Sequence, residues 1–134
     1  YSLKKQQANP KKVYCIDNGL RNSVAFMFSR DDGKLAENMA FLELKRRESD
    51  LYYWKSEKGT EVDFVVKHAD NTLTAINVPH GDEIPEREIT SLKEFGEKFK
   101  KTKKLLLLTK NTEKEEAGIK FTPLWKWMLG NKSM

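Results

Sequence analysis

Four side chains of this 134-residue sequence carry the strongest suggestion of chemistry: Glu37, Glu61, Asp63 and Asn77. The stretch Gly59-Thr60-Glu61-Val62-Asp63-Phe64-Val65-Val66 alternates like a strand, and a polar turn, His68-Ala69-Asp70-Asn71, leads to a second strand ending Ala75-Ile76-Asn77-Val78-Pro79. A turn centred on Asp70 makes paired residue numbers sum to 140, which sets Asp63 opposite Asn77 and Glu61 opposite Pro79. Period-two alternation then puts Glu61, Asp63 and Val65 on one face, and Val62, Phe64 and Val66 on the other. Two carboxylates on a strand face, beside a helix bearing Glu37, could hold a divalent cation through oxygen ligands. Such an ion would activate water and stabilise charge on a phosphoryl group. The plain alternative is that Glu61 and Asp63 decorate a solvated strand.

A second cluster is basic. Lys98, Lys100, Lys101, Lys103 and Lys104 gather at the end of a helical stretch, with Lys4, Lys5, Lys11 and Lys12 near the start. Lysines neutralise phosphates and release counterions, giving sequence-independent, salt-sensitive affinity. Cations at a helix C-terminus also complement its dipole, and Glu94 and Glu97 interrupt the cluster. Tyr52, Tyr53 and Trp54 are consecutive, so they cannot all be core. Trp125 and Trp127 are expected to face opposite ways on a short helix. For all five aromatics, packing competes with base stacking. His68 and His80 lack zinc-ligand spacing or cysteine support. No glycine-rich phosphate loop with its lysine occurs, so the chain is not itself an ATPase.

The elements that must position these groups follow from periodicity. Lys11 to Ile16 reads as a strand after the Asn9-Pro10 turn pair, and Asp17 to Leu20 opens a short helix toward Phe26. A longer helix runs from a cap at Asp31 or Asp32 to about Arg47, with Leu35, Met39 and Leu42 at helical spacing and Glu37 on the flank with Phe41 and Leu44. Three strands follow, Leu51 to Lys55, Thr60 to Val66 and Thr72 to Val78. An amphipathic helix begins near Pro85 and buries Ile89, Leu92, Phe95 and Phe99. The apolar run from Lys103 to Thr109 marks a central strand buried on both faces. A last strand, Ile119 to Phe121, precedes a helix from Leu124 to Leu129 that ends at Gly130. The whole predicts one α/β domain over residues 1–134, a mixed β-sheet flanked by helices.

Composition sets outer limits. The net charge of +5 permits nucleic-acid binding without demonstrating it, and no apolar run approaches the ~20 residues of a membrane helix. The single cysteine, Cys15, cannot form an internal disulfide and reads as strand packing in a reducing compartment, with a reactive thiol as the alternative. The chain opens at Tyr1 with no apolar signal segment, which suggests a cytoplasmic piece of a longer protein.

Taken together, Val13-Tyr14-Cys15-Ile16-Asp17-Asn18-Gly19-Leu20, Glu37-Asn38, Tyr52-Tyr53-Trp54 and Glu61-Val62-Asp63-Phe64 resemble the uncharacterised domain at the C-terminus of many prokaryotic AAA-type ATPases. The resemblance runs from about Lys11 to Leu129. That domain is similar in turn to the PD-(D/E)xK nuclease superfamily, whose core is a helix, a three-stranded meander, a helix and a further strand. The resemblance therefore implies a restriction-endonuclease-like core, Mg²⁺ as the cofactor of an intact site, and metal ligands matched here by Glu37 and Asp63. It also implies an N-terminal ATPase domain in the same chain. The third element departs from the pattern: Asn77 stands where an acid is expected and Pro79 where the lysine is expected. Losing one preorganised electrostatic group commonly costs ~100- to 1,000-fold in rate. Glu61, Lys67 or His80 would have to compensate.

Three functions compete. The first is a catalytically degenerate nuclease-like module that binds nucleic acid or a protein partner. The second is an active Mg²⁺-dependent nuclease cutting DNA or RNA through Glu37, Asp63 and a relocated Glu61. The third is a structural module that forms homo-oligomers.

Overall fold

The computed structural model describes residues 34–81 and 83–130, together with Lys4, Lys5, Asn22, Val24, Phe26 and Phe28. The expected strand from Lys11 to Ile16, Cys15 within it, the Asp17–Leu20 helix start and the cap at Asp31 or Asp32 lie outside these residues.

The strands are β1 (Lys4–Lys5), β2 (Asp50–Lys55), β3 (Glu61–Lys67), β4 (Leu73–Asn77), β5 (Thr102–Thr109), β6 (Lys114–Glu116) and β7 (Ile119–Pro123). The helices are α1 (Lys34–Arg46), α2 (Glu86–Lys98) and α3 (Leu124–Leu129). Val24 and Phe28 add buried helical positions and Asn22 and Phe26 exposed ones, as one face of a helix requires. The strands form one mixed sheet in the order β1-β2-β3-β4-β5-β7-β6. β2, β3 and β4 are an antiparallel meander, and β4, β5 and β7 run parallel. Among the described residues no helix is long and apolar enough to cross a membrane.

Helices cover both faces of the sheet. On one, Ala36, Met39, Ala40, Phe41 and Leu44 of α1 and Leu124 and Trp127 of α3 pack on Phe64, Val66, Ile76, Leu106 and Leu108. On the other, Leu92 and Phe95 of α2 pack on Trp54, Val65, Ala75, Leu107, Ile119 and Phe121. β5 supplies both layers alternately, which is why its leucine run is continuous. The meander register is the one expected: Phe64 pairs Ile76 and Val65 pairs Ala75, each summing to 140. The turn is fixed by the Asp70 carboxylate, which accepts bonds from the Thr72 amide at 3.0 Å and hydroxyl at 2.6 Å, and by Asn71 at φ 71°.

Four expectations need correction. The buried stripe of α1 is turned from Leu35, Met39 and Leu42 to Ala36, Met39, Ala40 and Leu44, because small Ala36 and Ala40 let the helix sit close to the sheet; Leu35 and Leu42 are half-buried. Val62 packs with Val65 and not with Phe64 and Val66. The cause is a bulge: Tyr52 pairs Val65 while Trp54 pairs Val62, so β3 carries one residue more than β2 between these rungs. Trp125 and Trp127 both pack against the α1 side of the core, Trp125 only partly buried. The strand β6 was not anticipated; every residue of Lys114–Glu116 is exposed, so no apolar alternation announces it.

The aromatic trio divides as its spacing demands. Trp54 is buried, with ring centroids 5.5 Å from Phe95 and 6.0 Å from Phe99 in edge-on contact, while Tyr52 and Tyr53 are half-buried. Glu43, the buried carboxylate of α1, receives Arg46 at 2.6 Å and Arg47 at 2.8 Å, and Arg47 goes on to donate to the Trp127 carbonyl at 2.9 Å. This ties α1 to α3. Glu43→Ala is therefore expected to lower the unfolding free energy by about 1–3 kcal/mol in urea titration, since the half-buried Arg47 would lose its carboxylate.

Candidate functional site

The bulge lies beside Asp63, between the Tyr52–Val65 and Trp54–Val62 rungs. Regular β3–β4 pairing ends at Phe64–Ile76, and beyond it side chains complete the ladder. The Asp63 amide donates to Asn77 Oδ1 at 2.9 Å, and the Val78 amide donates to Asp63 Oδ2 at 2.9 Å. Asn77 Nδ2 donates to the Glu88 carbonyl at 3.1 Å and to Ser91 Oγ at 2.8 Å. Ser91 Oγ also donates to the Glu88 carbonyl at 3.2 Å. Asn77 is only 1% exposed and joins β3, β4 and the first turns of α2. Its oxygen accepts an amide proton and its nitrogen is fully engaged, so what it does here is mechanical.

Around this knot opens a cleft of about 570 Å³, lined by Glu37, Glu61, Asp63, Glu88, His80 and Arg87 among others. It sits beyond the C-terminal end of β4, between the start of β3, α1 and the first turns of α2. The sheet and α1 thus bring Glu37, Glu61, Asp63 and Asn77 to one edge; the expected Asp63–Asn77 and Glu61–Pro79 rungs are not formed, and the Asp63 amide bonds the Asn77 side chain instead. His80 Nε2 stands 3.6 Å from Glu37 Oε1, so the residue after Pro79 does reach the same mouth. Lys67 does not: it pairs with Leu73 and Asp50 at the opposite edge. Glu61 points mainly to solvent, 3.7 Å from Lys55.

The electrostatics are those of crowded acids. Burial, then the nearby Glu37 charge, hold the Asp63 carboxyl well above the usual carboxylate range, with Glu88 and Glu61 adding to the rise and the Val78 hydrogen bond opposing it. Burial raises Glu88 as well, against Arg87 and His80, which lower it. Glu88 and Ser91 were missed from sequence. Both lie on the stripe of α2 that leads to Leu92 and Phe95, and polar residues on an apolar stripe are the signal that marks them.

As a cradle for Mg²⁺ the donor set is poor. Among the described residues no group of three or more His, Cys, Asp and Glu side chains is disposed to hold a metal ion. Asn77 Oδ1 is taken by an amide, and one Asp63 oxygen by another.

The lysines do not join this cleft. Lys98, Lys100 and Lys101 border a hollow with Lys67, Asn71 and Leu73, and Lys103 and Lys104 open β5, all at the N-terminal edge of β4 and β5. From Leu73 to Asn77 the sheet is ~13 Å deep, so the carboxylates of the cleft and this lysine cluster occupy opposite edges of one slab. Glu48, Asp50 and Asp70 also lie at the lysine edge, and Lys58 and Arg87 at the cleft.

The architecture defines the class as a mixed α/β domain whose sheet edge holds a cleft of carboxylates. The chain belongs to the family described as Domain of unknown function (DUF4143), which it matches over residues 32–127. It is similar to the Uncharacterized protein MJ1544 of Methanocaldococcus jannaschii, 30% identical over 141 residues that cover 96% of this chain. The chain spans 32% of that relative's length. No solved structure matches it.

Proposed function

We propose that this domain is a nuclease-like module of restriction-endonuclease descent that no longer cleaves phosphodiesters and instead binds nucleic acid along its lysine edge, as an appendage of a AAA-type ATPase. The observation that carries the reading is Asn77: where the PD-(D/E)xK pattern has an acid, this chain has a buried amide whose hydrogen bonds are consumed in joining β3, β4 and α2. Pro79, in the place of the lysine, is buried and offers no cation. The separation of charges supports the same reading, because a polyanion drawn to Lys98, Lys100, Lys101, Lys103 and Lys104 is kept a strand's length from Glu37 and Asp63. The relative's remaining two thirds leave room for an ATPase domain.

Binding to DNA is expected to fall steeply between about 50 and 200 mM salt, with no cutting in Mg²⁺ or Mn²⁺. Lys100→Ala and Lys101→Ala should each weaken it a few-fold and reduce the salt slope by about one. Mobility shift at several salt concentrations, beside a cleavage assay, checks both. Cleavage abolished by Glu37→Ala or Asp63→Ala would reinstate an active Mg²⁺-dependent nuclease, the reading favoured by the closeness of Glu37 to Asp63 and His80. No shift together with concentration-dependent self-association would leave an oligomerisation module.

A further inference from the structure

At the C-terminal end of α2 the lysine edge holds a hollow of about 500 Å³. Every charged side chain among its described lining residues is a lysine: Lys67, Lys98, Lys100 and Lys101. Its floor is apolar, made by Leu73 and Phe99, both packed with the α2 side of the core. The strand register fixes how these groups stand. Leu73 on β4 pairs with Lys67 on β3 to one side and with Thr102 on β5 to the other, and its amide donates to the Lys101 carbonyl at 3.0 Å. Cross-strand partners share a face, so Lys67 stands beside Leu73 at one strand spacing of ~4.8 Å, with Lys100 and Lys101 in the turn on the far side. Asp50, the partner of Lys67 on β2, lies beyond Lys67 from the floor and does not line the hollow. Phe99 is half-buried; its ring centroid is 4.5 Å from Phe95 and 6.0 Å from Trp54, so neighbours hold the ring in place beside the hollow. Asn71, exposed in the turn before β4, adds an amide that can both donate and accept.

We propose that this hollow seats one unstacked base of a single-stranded nucleic acid against Phe99 and Leu73, with the phosphates on either side of that base on Lys67 and on Lys100 and Lys101. The inference rests on the nucleic-acid reading above and narrows it to single strands. Two features select this ligand. Lysines on two sides of the floor match a chain that carries an anion before and after each base, whereas an apolar acid with one anionic head needs a cation at one end only. An aromatic ring beside cations is the means by which single-strand sites take up bases without regard to sequence, and an amide at the rim suits a base edge. In a duplex the bases are stacked and paired, so its phosphates can touch the lysines while the floor stays uncovered.

The test measures binding of the full chain, by fluorescence anisotropy at one low salt concentration, to three oligonucleotides of equal length: a single strand, its duplex, and a single strand of abasic residues. The base-bearing single strand is expected to bind about tenfold more tightly than either of the others, the scale of one stacked base. Phe99→Leu, which keeps an apolar core contact without the ring, should erase that preference and leave duplex binding unchanged, with circular dichroism confirming the fold. Lys67→Ala, at an exposed position, should weaken single-strand binding a few-fold, while Lys58→Ala beside the acid cleft has no effect. If Phe99→Leu does not fold, the abasic comparison and Lys67→Ala decide in its place. A single strand that binds no better than the abasic chain or the duplex, or single-strand binding that ignores either variant in its folded form, overturns the inference. Salt-sensitive binding of all three would then leave the broader nucleic-acid reading standing, and binding of none would remove both.

Discussion

Asn77→Asp, the change that would restore the acid of the nuclease pattern, is expected to destabilise the domain by about 2–4 kcal/mol at neutral pH and to confer no Mg²⁺-dependent cleavage. The new carboxylate would replace a donor facing the Glu88 carbonyl and Ser91 by an acceptor, and would add a charge beside Asp63, Glu37 and Glu88. Asn77→Ala should cost a similar amount by leaving the Asp63 amide without its acceptor and removing the donor to Ser91 Oγ and the Glu88 carbonyl. The two variants part company with pH. The aspartate's folded-state pKa would be raised by burial and neighbours, so its penalty should shrink as pH falls through that value toward about 4, whereas the alanine penalty stays flat. Urea midpoints across pH measure this. Stabilisation of Asn77→Asp by Mg²⁺, or new cleavage, would show position 77 to be a metal position and sink the degenerate reading.

The second large effect concerns Asp63. Its carboxyl is raised in the folded protein, so the proton is held more tightly folded than unfolded. The stability this confers is complete below about pH 4 and drains away as pH rises through the raised value. Asp63→Asn keeps an oxygen for the Val78 amide and removes the charge. Its stability should change little over the same range, and at neutral pH it should exceed that of the parent. Asp63→Ala should fall about 1–3 kcal/mol below Asp63→Asn, because the Val78 amide loses its acceptor. A parent whose stability rises with pH above 5 would contradict the assignment of a raised carboxyl. Should Mg²⁺ stabilise the parent but not Asp63→Asn, the crowded acids would be a metal site after all.

Much of this arrangement could be read from residue order, for identifiable reasons. Asp70 fixes the turn chemically, so the 140 register and the meeting of Asp63 with Asn77 follow from counting. Pro123 before α3 and Gly130 after it bound that helix at Leu124–Leu129, as local backbone rules demand. What was not legible depends on more than one element. The β3 bulge arises from pairing with β2, and alternation along β3 alone cannot reveal it. The turn of α1 is set by how closely Ala36 and Ala40 approach the sheet. Asn77 looked like a weakened ligand because its buried partners, Ser91 and the Glu88 carbonyl, lie 11 to 14 residues away on α2. The likeness to a nuclease core remains a proposal built on motif residues, whereas family membership follows from the match across residues 32–127.

Setting the carboxylates of the cleft at one rim of the sheet and the Lys98–Lys104 cluster at the other separates two charged patches along the strand direction, within a net charge of +5. Each patch is diluted by opposite charges, Lys58 and Arg87 at the cleft and Glu48, Asp50 and Asp70 at the lysine rim. In the field of an extended polyanion such a body turns before it touches, lysine rim foremost and acid rim trailing. Raising ionic strength should therefore slow capture more than it hastens release, a kinetic signature that an evenly charged protein of the same net charge would not show.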